Sequence, residues 1–112
     1  MEKVLLVQTT FSDKNEAIEF SKKVLQARLA ACVQLFGEVE SMYWWKESIE
    51  KDKEIIVTMK TLHTVYPQLQ AFIEKFHSYE TPEILATAVE HVGTGYYRWL
   101  WDEIKKEQGS NE

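Results

Sequence analysis

The chain has 112 residues, room for one domain with one core and none for a separate regulatory module. Hydrophobic residues make up 45% and charged residues 28%, the balance of a folded globule and not of a disordered chain. The net charge of -5 counts against nucleic acid, because affinity for a phosphate backbone comes largely from Lys and Arg, and leaves a cation or a neutral small molecule as the more natural partner.

Val4 to Thr10 is a nearly continuous apolar and β-branched run, as expected for a central strand. Its purely apolar part, Val4-Leu5-Leu6-Val7, is too short for the apolar region of a signal peptide and far too short for a membrane span, so the expected location is the cytoplasm, with no membrane partner. Asp13 and Glu16 then stand at capping-box spacing, and Ala17, Phe20, Val24 and Ala27 follow at helical spacing, widened by Ile18, Leu25 and Leu29. This predicts a helix to about Ala30. Cys32 to Trp45 is a long second strand in which Gly37 marks a bulge or bend. Lys46 to Asp52 is polar and turn-like, and Glu54 to Thr61 alternates as a third strand, giving a hairpin with long arms. Thr64 is placed to cap a second helix, with Pro67 in its first turn and Leu69, Phe72, Ile73 and Phe76 as its buried stripe. Ile84 to Val89 is a fourth strand. Tyr96, Leu100 and Ile104 then mark a C-terminal helix of about three turns. The order predicts an α+β fold, a ferredoxin-like βαββαβ sandwich with a long hairpin and an added C-terminal helix. One domain is expected over residues 1–107, with residues 108–112 a frayed tail.

Two helices on one face of a four-stranded sheet leave the other face open. Average strands run about 5–6 residues, so these arms project beyond the core, and they carry Met42, Tyr43, Trp44 and Trp45. Aromatics bury about 150–250 Å² each, and a small monomer rarely exposes such a patch. Self-association follows, since edges of long arms are pairing templates; the plainer alternative is a hairpin curled over its own open face. Ring closure would favour a cyclic assembly. Trp99 and Trp101 cannot both face one core, which sends one of them toward a neighbouring chain or leaves it half-exposed at the surface.

The catalytic inventory is thin. Cys32 is the only cysteine and has no base nearby in sequence, so it reads first as a small buried hydrophobe. No CxxC, HxxxH, glycine-rich phosphate loop or GxSxG is present. His63 and His91 read as surface residues. His77 opens the run His77-Ser78-Tyr79-Glu80-Thr81-Pro82-Glu83, where an imidazole, a phenol and two carboxylates could coordinate a divalent ion or orient a ligand. The plain alternative is a polar loop in which Pro82 sets the entry to the fourth strand and Tyr79 packs. Acidic residues along the arms, Glu38 with Glu40 and Glu47 with Glu50 and Asp52, read as a solvated strand edge.

Taken together, Ala31-Cys32-Val33, Tyr43-Trp44-Trp45, Asp52-Lys53-Glu54, Lys60-Thr61, the run from His77 to Glu83 and Tyr96-Tyr97-Arg98-Trp99-Leu100 resemble the CutA family of divalent-cation tolerance proteins over essentially the full chain. The resemblance implies a tight homotrimer with an architecture like the PII signalling proteins, and a cytoplasmic link to divalent metal tolerance, copper in particular, with no enzymatic reaction. The chain departs from the family pattern at Ser78, where Pro is usual, at Gln34, where Asn is usual, and at Lys46-Glu47-Ser48, where Glu-Gly-Lys is common. Copper-binding members carry a cysteine late in the first strand and two consecutive histidines in the loop; Gln8 and Phe76-His77 stand at those positions, so only His77 survives. Cu(I) prefers thiolates and Cu(II) imidazoles, so His77 with carboxylates makes a weak site.

The leading expectation is therefore a non-enzymatic trimer that binds divalent metal through His77, with Cys32, Glu80 and Glu83 as weaker partners. The alternative is a PII-like sensor or scaffold that takes a small molecule in an intersubunit cleft lined by Tyr43, Trp45, Lys60, Tyr79, Glu83 and Trp99, with Lys60 as charge handle. An RNA-binding module shares the element order, but the third strand, Glu54 to Lys60, lacks the paired aromatics that stack bases. An acylphosphatase-like reaction lacks its anion loop and arginine.

Overall fold

Period-two burial in the strands and four-residue burial in the helices build the expected order, and a computed structural model of the chain describes residues 1–109, with side chains through Lys106. The elements are β1 (Val4–Phe11), α1 (Lys14–Gln26), β2 (Cys32–Trp45), β3 (Ser48–Leu62), α2 (Tyr66–Phe76), β4 (Leu85–Val89) and α3 (Thr94–Gly109). The fold is α+β, a ferredoxin-like βαββαβ sandwich with a long β2–β3 hairpin and an added C-terminal helix. The four strands lie in the order β2-β3-β1-β4, every neighbouring pair antiparallel.

Odd-numbered residues of β1 and β3 face the helices. Val7, Thr9, Phe11, Val57, Met59 and Thr61 are completely buried there, against Ala17, Phe20 and Val24 of α1 and Leu69 and Ile73 of α2. Each large apolar side chain so buried contributes about 1.5–3 kcal/mol. Leu100 and Ile104 of α3 join the same buried cluster, whereas Tyr96, on the same stripe of that helix, is exposed and reaches Lys60. Phe76, expected in the α2 stripe, is also half-exposed and packs at a tilt against Phe72.

Several boundaries differ from the sequence expectation. Asp13 caps α1 by accepting from the Glu16 amide at 2.8 Å. The helix stops at Gln26, because Arg28 takes a left-handed conformation (φ 58°) and the Leu29 amide bonds back to the Val24 carbonyl. A left-handed arginine is costly. Its guanidinium holds α3 in return, 2.9 Å from both the backbone and the carboxylate of Glu103.

Thr64 does not cap α2. Its amide and hydroxyl both donate to Glu2, and Val65 occupies the cap position without a side-chain bond. The hairpin turn is shorter than expected. Lys46 and Glu47 alone form it, both at positive φ, and residues 48–52 belong to β3. A two-residue loop with both φ positive is the geometry whose twist matches the flanking strands. The α3 helix runs two residues past 107, and residues 110–112 of the expected tail lie outside the described residues.

The hairpin projects, as its length required. The molecule measures 51 × 28 × 21 Å. Gly37 sits at the root of the arm with φ 134°, where the register shifts between Phe36 and Val39. A Cβ there would stand 2.8 Å from the Glu54 carbonyl oxygen.

Candidate functional site: the open sheet face and the hairpin arm

Even-numbered residues of β1 and β3 face away from α1 and α2. Strand register lays Cys32, Lys60, Leu6 and Thr87 in one row, Gln34, Thr58, Gln8 and Leu85 in the next, and Phe36, Ile56 and Thr10 beyond. Phe36 and Leu85 are more than half exposed. The Tyr96 side chain of α3 reaches this face: Lys60 Nζ lies 3.3 Å from its hydroxyl and 5.4 Å from its ring centre, and Trp99 packs behind it. Cys32 is therefore a partly exposed residue of the open face, and not the sealed core residue that the sequence suggests.

Past Gly37 the same face continues along the arm as Val39, Ser41, Tyr43 and Trp45 opposite Glu54, Asp52, Glu50 and Ser48. The reverse face carries Glu40, Met42 and Trp44 opposite Lys53, Lys51 and Ile49. The run Glu50-Lys51-Asp52-Lys53-Glu54 thus sorts by charge: its acids point one way and its lysines the other. Lys51 and Lys53 pair with Glu40 (3.7 Å) and Glu38 (4.0 Å) on the reverse face. On the acidic face, the Tyr43 hydroxyl donates to Asp52, and this bond pushes its pKa up to about 12. Met42, Trp44 and Ile49 are 70%, 72% and 65% exposed, a surface too apolar to be left to water in a working protein.

The loop after α2 packs inward. His77 is buried against Phe11, the rings parallel within 8° and 4.1 Å apart. Its Nε2 donates to the Thr10 carbonyl at 2.7 Å and its Nδ1 accepts from the Tyr79 amide at 3.0 Å. Burial lowers its pKa, and together these contacts hold the ring neutral with both nitrogens engaged. Tyr79 donates to Glu54 at 3.0 Å, and burial together with that bond raises its pKa. Glu83 accepts from Gln8 at 2.8 Å, and Glu80 is exposed.

The expected metal ligands do not converge. Cys32 sits in the row of Leu6, while His77 bonds at Thr10, four β1 residues or about 13 Å further along. Among the described residues, no three or more His, Cys, Asp or Glu side chains group so as to hold a metal ion. With the only imidazole of the set engaged on both nitrogens, the donor chemistry of one chain does not fit a resident divalent ion. The expected cleft residues also split in two. Lys60 and Trp99 lie at the base of the sheet, while Tyr43, Trp45 and Tyr79 lie toward the arm.

Tyr96, Glu50 and Glu54 were not singled out for this face. The strict alternation of charge from Glu50 to Glu54 is the available signal, and an expected turn over Lys46 to Asp52 cuts across it. A further open groove of about 520 Å³, lined by Met1, Thr94, Tyr97, Arg98, Trp101 and Asp102, contains none of the expected residues. No helix among the described residues is long and apolar enough to cross a membrane.

Residues 5–103 match the family described as CutA1 divalent ion tolerance protein. The chain is similar to the divalent-cation tolerance protein CutA of Thermotoga maritima, 40% identical over 101 residues that cover 90% of this chain and 99% of that one. Two crystal structures superpose closely. CutA1 from Pyrococcus horikoshii gives a TM-score of 0.85 at 35% identity, covering 88% of this chain and 96% of that one. CutA1 from Ehrlichia chaffeensis gives 0.88 at 25% identity, covering 93% and 97%.

Proposed function

The chain belongs to the CutA1 divalent ion tolerance family, and from that premise we propose that it acts as a non-enzymatic, cytoplasmic homotrimer in divalent-cation tolerance. One observation carries the reading: a sheet face left open by α1 and α2 continues past the Gly37 bulge onto a projecting arm that exposes apolar side chains on both its faces. Strands β2 and β4 are the two sheet edges, so contact between unlike edges of successive copies is heterologous, and a ring is the form that closes it. The number three comes from the family resemblance. Copper is carried forward from the same source as the metal concerned. His77 can reach an ion only by surrendering its bonds to Thr10 and Tyr79, so weak ion contacts are assigned to the exposed carboxylates Glu80 and Glu83. Light scattering should give three times the chain mass, and a monomer at micromolar concentration would refute the assembly. Calorimetric titration of Cu(II) should then show no saturable site that depends on His77.

The second reading is a PII-like sensor that binds a small molecule between subunits. It is favoured by the separation of Lys60 and Trp99 from Tyr43, Trp45 and Tyr79, which only a second copy can bring together. Quenching of tryptophan fluorescence by a metabolite in metal-free protein would support it, and a flat response across a metabolite panel would count against it.

A further inference from the structure

Lys60 is the cation that lies on the face awaiting cover. Among the described residues it meets no carboxylate; its only polar partner is the Tyr96 hydroxyl. Covering this face with another copy would strip water from the ammonium, and a desolvated charge without a counter-charge is strongly unfavourable. The covering surface must therefore bring an acid.

The chain carries such a surface. On the acidic face of the arm, Asp52 is taken by Tyr43 and Glu54 by Tyr79, while Glu50 has no partner among the described residues. Glu50 and Lys60 share the same face of β3, ten residues or about 33 Å apart, and so cannot meet within one chain. Lys51 and Lys53 of the arm are already turned to the reverse face and paired there, and Lys46 in the turn lies over the Trp45 ring. Both ends of the open face are thus charged, with opposite signs, and each lacks what the other has.

Building on the assembly proposed above, we propose that Lys60 of each copy is met by Glu50 on the hairpin arm of the next copy, a directional ion pair that sets the head-to-tail order and register of the assembly. Tyr43 and Trp45, on the same face of the arm as Glu50, come to lie beside Tyr96 and Trp99 and exclude water from the pair. Like-charge contacts reject the reversed docking, because turning the arm end to end would set acid against acid.

The test uses the full chain. Lys60→Glu and Glu50→Lys, made separately, should each raise the dissociation constant of the assembly at least tenfold in dilution series followed by light scattering. The charge-swapped double variant should recover wild-type assembly. Far-ultraviolet circular dichroism checks that each single variant is folded; where a reversal unfolds the chain, Lys60→Met with Glu50→Gln replaces it, and neither single neutralisation should assemble as tightly as wild type. Single variants that assemble like wild type, or a double variant no better than the worse single, would overturn the pairing while leaving the assembly standing. A monomeric wild-type chain would instead remove the assembly itself.

Discussion

Replacing His77 by Ala separates a structural imidazole from a metal ligand. The ring is only 8% exposed, stacks on Phe11 and uses both nitrogens, so its removal deletes apolar burial and two hydrogen bonds together. Burial of a ring this size is worth about 1.5–3 kcal/mol. Each hydrogen bond adds about 0.5–1.5 kcal/mol net, and the abandoned Thr10 carbonyl and Tyr79 amide must find water. The expected loss is about 3–5 kcal/mol, a large share of the roughly 5–15 kcal/mol that holds a domain together. Urea unfolding monitored by circular dichroism measures it, at one fixed protein concentration because assembly feeds into apparent stability. His77→Gln, which keeps a donor and an acceptor, should lose less. A His77→Ala variant as stable as wild type that had lost copper binding would refute the reasoning, since the ring would then be a free ligand and not a packed one.

The same ring predicts a pH dependence. Its folded pKa is depressed by burial, so the unfolded chain takes up a proton first as pH falls; stability is full above the unfolded imidazole value near ~6.5 and declines as pH drops through the lower folded value. Urea midpoints between pH 8 and 5 should show this decline, and His77→Gln should flatten it. Gly37→Ala should cost about 2 kcal/mol or more, because φ 134° is strained for any L side chain and the new Cβ would meet the Glu54 carbonyl; an unchanged urea midpoint would contradict this. Thr9→Val should stabilise by about 1 kcal/mol, since the buried Thr9 hydroxyl has no partner among the described residues and valine keeps its shape, and a lower melting temperature would refute it.

Local signals carried much of the fold. Asp13 caps α1 where its spacing with Glu16 places it, Gly37 marks the bulge, and the alternation from Glu54 to Thr61 marks β3 as a strand with two distinct faces. The failures were local rules overridden at a distance. Thr64 is a good cap by chemistry, but Glu2 captures both its donors. Arg28 takes a left-handed backbone where its guanidinium pairs with Glu103, 75 positions away on α3. Lys46-Glu47 lacks the glycine that announces a two-residue turn, so the sequence alone extends the turn over the first five residues of β3.

The candidate site was legible as residue types and not as geometry. Composition, periodicity and the spacing of aromatics determined an α+β chain with a projecting arm and a face that needs cover, because those properties depend on neighbours two, three or four positions away. Whether the His77 nitrogens point outward, which way Cys32 faces, and that Lys60 and Glu50 stand at opposite ends of one surface were decided only by tertiary structure. Each depends on contacts between residues far apart in the chain, as when Thr10 accepts a bond from a ring 67 positions away, and nothing in local sequence encodes which carbonyl a buried imidazole will meet.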